Sequence, residues 1–162
     1  MLTRENYFDK ENELKYFGSS QFKSFMKCEA STMARINEEI EEETSTALLV
    51  GSYVDAHFER TLDLFMAQHP EILKRDGSLK AEYTQANEII NRLERDEMFM
   101  KYMSGEKQVI MTAELFGHEF KIRIDSYHEG KAIVDLKVMR DFEPVYVEEL
   151  GRVSFIEAWG YD

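Results

Sequence analysis

Cysteine is almost absent: Cys28 is the only one in 162 residues. That excludes an intrachain disulfide, a multi-cysteine zinc site and a four-cysteine iron–sulfur cluster, and it favours a reducing, cytoplasmic setting. Long apolar runs are missing too. None approaches the ~20 residues of a membrane-spanning helix, so no membrane is expected among the partners. No N-terminal stretch has the basic-then-apolar layout of a secretory signal. Positive charge is scarce: 20 Lys and Arg stand against 32 Asp and Glu, a formal net charge of −12. This balance does not suggest a general nucleic-acid coat, because non-specific DNA binding depends on Lys and Arg neutralising phosphates. A local basic rim inside an acidic whole remains compatible with DNA. Internal repeats and low-complexity linkers are absent, and the length fits one domain over residues 1–162 with enough apolar residues for a core.

The first half of the chain reads as helices. Residues 1–18 have no clean period and are expected to form an arm or irregular lead-in. "SSQFKSFMKCEASTMARI" (Ser19–Ile36) is predicted as one helix, capped by Ser19 or Ser20, with Phe22, Phe25, Met26 and Met33 on one stripe. The acidic "NEEIEEE" (Asn37–Glu43) then reads as a solvated helix end or loop. A second helix is expected over Ser45–His69, with Val54, Phe58, Leu62 and Phe65 on its apolar face. Gly51 falls on that face and suggests close approach of another backbone. A third is expected over Leu79–Met103, with Ala86, Ile89, Ile90, Leu93, Phe99 and Met100 as its apolar positions.

The pattern then changes to alternation: "QVIMTAELF", a turn at "GH", "EFKIRID", and after "HEGK" the run "AIVDLKV". These predict a three-strand antiparallel meander packed with helices, an α+β domain. "SFIEAWGYD" begins what reads as a further helix.

The meander carries the chemistry. Asp125 and Asp135 are equidistant from Gly130. With Gly130 at the tip of a five-residue loop, the two aspartates face each other across adjacent strands, their Cβ atoms ~5 Å apart. Lys137, two residues on from Asp135, projects from the same face. Facing carboxylates repel, so one takes a proton unless a cation intervenes. Hard carboxylate oxygens suit Mg²⁺ or Mn²⁺. An isolated Asp-x-Lys is common on edge strands, but Ile124, Ile133, Val134 and Leu136 make these strands look interior, where unpaired charge is costly.

Asp, about ten residues, then Asp-x-Lys on the next strand resembles the PD-(D/E)XK nuclease superfamily. More specifically it is similar to the RecB-like and phage or prophage exonuclease branch (lambda exonuclease-like, exonuclease VIII-like). "SQFKSFMKCE" (Ser20–Glu29), "GSYVDAHFE" (Gly51–Glu59) and "AELFGHEFKIRID" fall in the order of that branch's other motifs. The resemblance implies a restriction-endonuclease-like core. It also implies a Mg²⁺-dependent deoxyribonuclease, an exonuclease of phage or prophage recombination, in which Mn²⁺ substitutes for Mg²⁺. Asp125, Asp135 and Lys137 would be catalytic, and Asp125 and Asp135 would hold the metal with the backbone carbonyl of Leu136. Where the family has Gly-x-x-x-His, this chain has Asp55 four residues after Gly51, and Asp55 is favoured as the further ligand over His57. Glu59, one turn beyond, and Glu114, which matches the family's Glu before the Asp strand, are second-tier candidates with His57.

DNA is the implied substrate, with a strand-annealing recombination protein and further copies of the chain as implied partners. Relatives follow the Asp-x-Lys strand with a helix bearing Gln-x-x-x-Tyr, and these 162 residues stop as that helix begins. The expectation is a domain lacking its C-terminal part, with metal binding retained and turnover weak. Two other classes stay open: a catalytically silent PD-(D/E)XK binding or assembly module, and an acidic DNA-mimic inhibitor.

Overall fold

The structure, a computed structural model, describes residues 1–40, 44–139, 143–147 and 151–154. Each of the three long helices expected from periodicity forms as two shorter ones. The first splits into α2 (Ser19–Lys27) and α3 (Glu29–Ile36), with Cys28 extended between them at φ −160°, ψ 105°. The second splits into α4 (Thr46–Glu59) and α5 (Leu62–Gln68). There Arg60 turns left-handed at φ 64°, and Thr61 N–H donates to the Ala56 carbonyl at 2.8 Å, a Schellman-type end. The third splits into α6 (Ala81–Leu93) and α7 (Glu97–Tyr102). Asp96 caps α7, its Oδ1 accepting from Met98 N–H and Phe99 N–H at 3.0 Å each. Periodicity carries across such breaks because the apolar face continues after them; the caps decide where the backbone stops.

The core lies between α4, α6 and the end of the sheet at β3. Tyr53, Val54 and Phe58 pack with Ile72, Tyr83, Ala86, Ile90 and Met103, and Val134, Leu136 and Val138 close over them. Burying each large apolar side chain contributes roughly 1.5–3 kcal/mol. The Tyr53 hydroxyl keeps a partner, donating to Asn87 Oδ1 at 2.9 Å. The stripe expected on the first helix is not the buried one. Phe22 and Met26 are exposed, while Gln21, Thr32 and Ile36 are buried. Gln21 is drawn inward because its amide donates to the Glu13 carbonyl at 2.6 Å. Gly51 has no atom within 4 Å of where a Cβ would sit, so it is not the close-approach glycine. Gly105 is: a Cβ there would lie 2.5 Å from the Tyr127 carbonyl oxygen.

The meander forms as expected: β1 (Glu106–Leu115), β2 (His118–His128) and β3 (Ala132–Val134), antiparallel in the order β1-β2-β3. The β1–β2 turn is Phe116-Gly117, one residue earlier than "GH", with φ of 54° and 76°. Positive φ at both central residues matches a two-residue type I′ connection. β3 is shorter than the run "AIVDLKV": residues 135–139 leave the ladder. A small hairpin follows, β4 (Val145–Val147) with β5 (Gly151–Val153). The helix expected from "SFIEAWGYD" lies beyond Ser154, outside the described residues, as do Glu41, Glu42 and Glu43 of the acidic run.

The N-terminal arm is not irregular throughout. It contains α1 (Lys10–Lys15), and Phe17 joins the edge of β2. Phe17 N–H donates to the Glu119 carbonyl at 2.8 Å, and Lys121 N–H donates to the Phe17 carbonyl at 2.9 Å. The arm and β3 thus share the same edge of β2, one at each end. Among the described residues, no helix is long and apolar enough to cross a membrane.

Candidate active site

β2 and β3 pair as Ser126↔Val134, Tyr127↔Ile133 and His128↔Ala132 around Gly130, which is left-handed at φ 66°. One further step in this register sets Asp125 opposite Asp135. The ladder stops short of that step, and the chain past β3 bends across Asp125. Leu136 N–H donates to Asp125 Oδ2 at 2.7 Å. Asp135 Oδ2 faces outward to Lys137 Nζ at 2.7 Å, both side chains about half exposed at 54% and 47%.

α4 supplies the opposite wall. Its Tyr53–Val54–Phe58 face is fixed in the core, and Asp55 and Glu59, one turn apart, lie on the flank towards β2. Asp55 Oδ1 is buried and has no hydrogen-bond partner. Its carboxyl is pushed up to about 7, first by burial, then by the negative charges of Asp125 and Glu59; Lys137 opposes the rise. Burial also raises Glu59, opposed by Arg123 and reinforced by Asp125. Asp55, Glu59, Asp125 and Leu136 also line a narrow cavity with Phe58 and Met103, so these half-buried acidic groups crowd together.

Gln108 is the residue that sequence reasoning missed. It is buried, sits in β1 at φ 56°, and its amide donates to Glu59 Oε1 at 2.6 Å and to Asp125 Oδ1 at 3.4 Å. Its own Oε1 is a second buried acceptor with no hydrogen-bond partner. The signal was available. The β1–β2 register runs Lys107↔Ser126 and Val109↔Ile124, which leaves Gln108 across from Asp125. Placing the turn at "GH" shifts that count and hides it.

The other candidates lie elsewhere. Glu114 is exposed and pairs with Glu119 near the β1–β2 turn. It is six residues along β1 from Gln108, about 20 Å at strand spacing. His57 points to the other side of α4, where its Nε2 meets Glu94 Oε1 at 2.9 Å.

A cleft of about 410 Å³ opens over this cluster, lined by Asp55, Asp125, Asp135 and Lys137, by Arg123 two residues before Asp125 on β2, and by Phe8 of the N-terminal arm. Arg123 and Lys137 give it a cationic side within an acidic chain; Arg4 and Lys107 act on Glu59 from behind. Among the described residues, no three of His, Cys, Asp and Glu converge closely enough to hold a metal ion together as they stand. The donor chemistry nevertheless fits a hard divalent cation. Asp55 offers a buried, unpartnered oxygen beside Asp125, and a bound cation would offset both the burial and the repulsion from Asp125 that lift Asp55. Asp135 is the carboxylate that stands apart, held by Lys137.

Residues 18–162 match the family described as a PDDEXK-like domain of unknown function (DUF3799). The chain is also similar to a solved structure, that of a candidate exonuclease from Eubacterium rectale at 2.19 Å resolution, with 51% identity and a TM-score of 0.94 over 99% of this chain. The chain spans 63% of the length of that solved protein. No curated protein matches it.

Proposed function

This chain belongs to the PDDEXK-like family, and on that premise we propose that it is the core of a Mg²⁺-dependent deoxyribonuclease, an exonuclease of phage or prophage recombination. The observation that carries the reading is the buried, unpartnered Asp55 Oδ1 beside Asp125, in a cleft that also holds the Asp135–Lys137 pair. PDDEXK nucleases generally use divalent metals, and here Asp55, Asp125 and Asp135, with the Leu136 carbonyl, would hold the ion. When bound, it would lower the pKa of an attacking water and offset charge gathering on the phosphate.

The chain's own groups do the rest. The Leu136 N–H fixes the rotamer of Asp125, and Gln108 bridges Glu59 to Asp125. Lys137, placed by its contact with Asp135, orients the attacking water and donates to the phosphate oxygens as negative charge builds there. Arg123 draws the nucleic-acid backbone into the cleft. Residues 1–162 act as one domain in the cytoplasm, with DNA, a strand-annealing protein and further copies of the chain as partners.

The test is an end-labelled DNA assay with Mg²⁺, with Mn²⁺ and with EDTA. Slow mononucleotide release from linear DNA in either metal, and none in EDTA, is expected, in keeping with the weak turnover the sequence implies. A second reading, a silent binding module, is favoured by the outward turn of Asp135 towards Lys137. It wins if DNA is bound but never cut in either metal.

A further inference from the structure

The cleft has a second wall that the hydrolytic reading leaves unused. Tyr7 and Phe8 stand on the N-terminal arm and line the same cleft as Asp55, Asp125 and Asp135. Their rings meet edge to face at 4.9 Å, and the Arg123 guanidinium lies 5.0 Å from the centre of the Phe8 ring and 5.5 Å from that of Tyr7. Tyr7 is 7% exposed and Phe8 65%. One ring is therefore foundation and the other is open surface.

The support beneath them is a buried, well-partnered lysine. Lys121 is 2% exposed, a lysine in the interior of a strand, where an ammonium is costly unless fully partnered. Its Nζ donates to the Tyr7 carbonyl at 2.6 Å and to Glu13 Oε1 at 2.6 Å, and lies 4.5 Å from the Tyr7 ring centre. With the Phe17 bridge, this pins the arm to β2. Other apolar side chains are exposed too, Ile122 and Ile133 among them in this same cleft. Phe8 differs from them in having a cation laid on its ring.

We propose that Tyr7, Phe8 and Arg123 form a stacking platform for one unpaired nucleobase, so that the cleft takes single-stranded or frayed DNA ends in preference to intact duplex. The proposal deepens the nuclease reading and rests on it. Inside a duplex a base presents its face to an aromatic ring only after it has left the stack, an unpaired end presents it freely, and stacking tolerates any base because each has such a face. Arg123 serves both partners, since its guanidinium lies against the Phe8 ring and its charge suits the adjoining phosphate.

Fluorescence anisotropy in Mg²⁺ on the Lys137→Ala background, which slows turnover, measures binding; kcat/KM on the parent measures hydrolysis. The probes are a single-stranded oligodeoxynucleotide, the same strand with abasic residues at its end, and a blunt duplex. Phe8→Ala is expected to weaken binding of the base-bearing strand about tenfold, within the range for one stacked base. It should leave the abasic strand and the melting temperature unchanged, and Phe8→Trp should restore binding. Equal binding of the base-bearing strand by Phe8→Ala and its parent overturns the platform, and the nuclease reading stands if the parent still cuts. Binding that shows the Phe8 effect without any cutting upholds the platform and removes the nuclease reading. A chain that binds none of the three probes overturns both.

Discussion

Lys137→Ala should slow DNA hydrolysis by at least a hundredfold while leaving the fold and its metal binding in place. The size follows from the role: removing one donor aimed at charge that develops in the transition state typically costs 10²–10³ in rate. The pairing of Lys137 with Asp135 contributes little to stability. The contact is about half exposed on both sides, and exposed pairs contribute ~0–1 kcal/mol. The variant's melting temperature should therefore move by only a few degrees. Single-turnover rates with saturating Mg²⁺ isolate the effect from binding. Lys137→Arg should recover only part of the rate, because a planar fork does not reproduce a compact ammonium. A Lys137→Ala protein as fast as its parent removes this residue from the chemistry.

Asp55→Asn should stabilise the metal-free protein at pH 8 by a few kcal/mol and flatten its pH dependence. The sign follows from linkage. Asp55 is raised from its ordinary 3.8 to about 7 in the fold, so between those values the native state keeps a proton that the unfolded chain has released. Stability then falls as pH rises through that window and levels off above about 7. The full shift corresponds to about 4 kcal/mol as an upper bound, and partial solvent access reduces it. Glu59, also raised, adds a smaller slope of the same sign. Divalent metal should reverse the comparison: the ion stabilises ionised Asp55 in the parent and gains little in the variant. Urea titrations of both proteins from pH 5 to pH 8.5, with EDTA and with Mg²⁺, read each part. If metal-free Asp55→Asn is less stable than its parent at pH 8, Asp55 is not a strained carboxylate.

Local signals told the most about this fold. The alternation of "EFKIRID" and the glycine at 130 set the β2–β3 register, because a strand slip of one residue would turn its whole face over. The α+β class and the resemblance to the PD-(D/E)XK superfamily, both read from the residues, hold in the structure and in the family match. The helix ends were harder. Asp96 is an ordinary N-cap in the sequence, but the apolar pattern on either side of it masked the break.

The arm was hardest, because its order comes from tertiary contacts. Nothing local marks Lys121 as a buried anchor for Tyr7, or Phe17 as a strand partner. Gln108 went unread for a different reason. Its role depends on a register counted from a turn, and the structure puts that turn at Phe116-Gly117, with Phe116 in a conformation that Asn or Gly usually takes.

As proposed above, Asp55, Asp125 and Asp135 would together hold a divalent ion. Calorimetric titration of Mg²⁺ and Mn²⁺ into the parent and into Asp125→Asn at pH 8 tests it most directly. Saturable binding of at least one ion to the parent is expected, and its loss or a tenfold or greater weakening in Asp125→Asn. Equal binding by the two proteins, or no binding to the parent at millimolar metal, would contradict it.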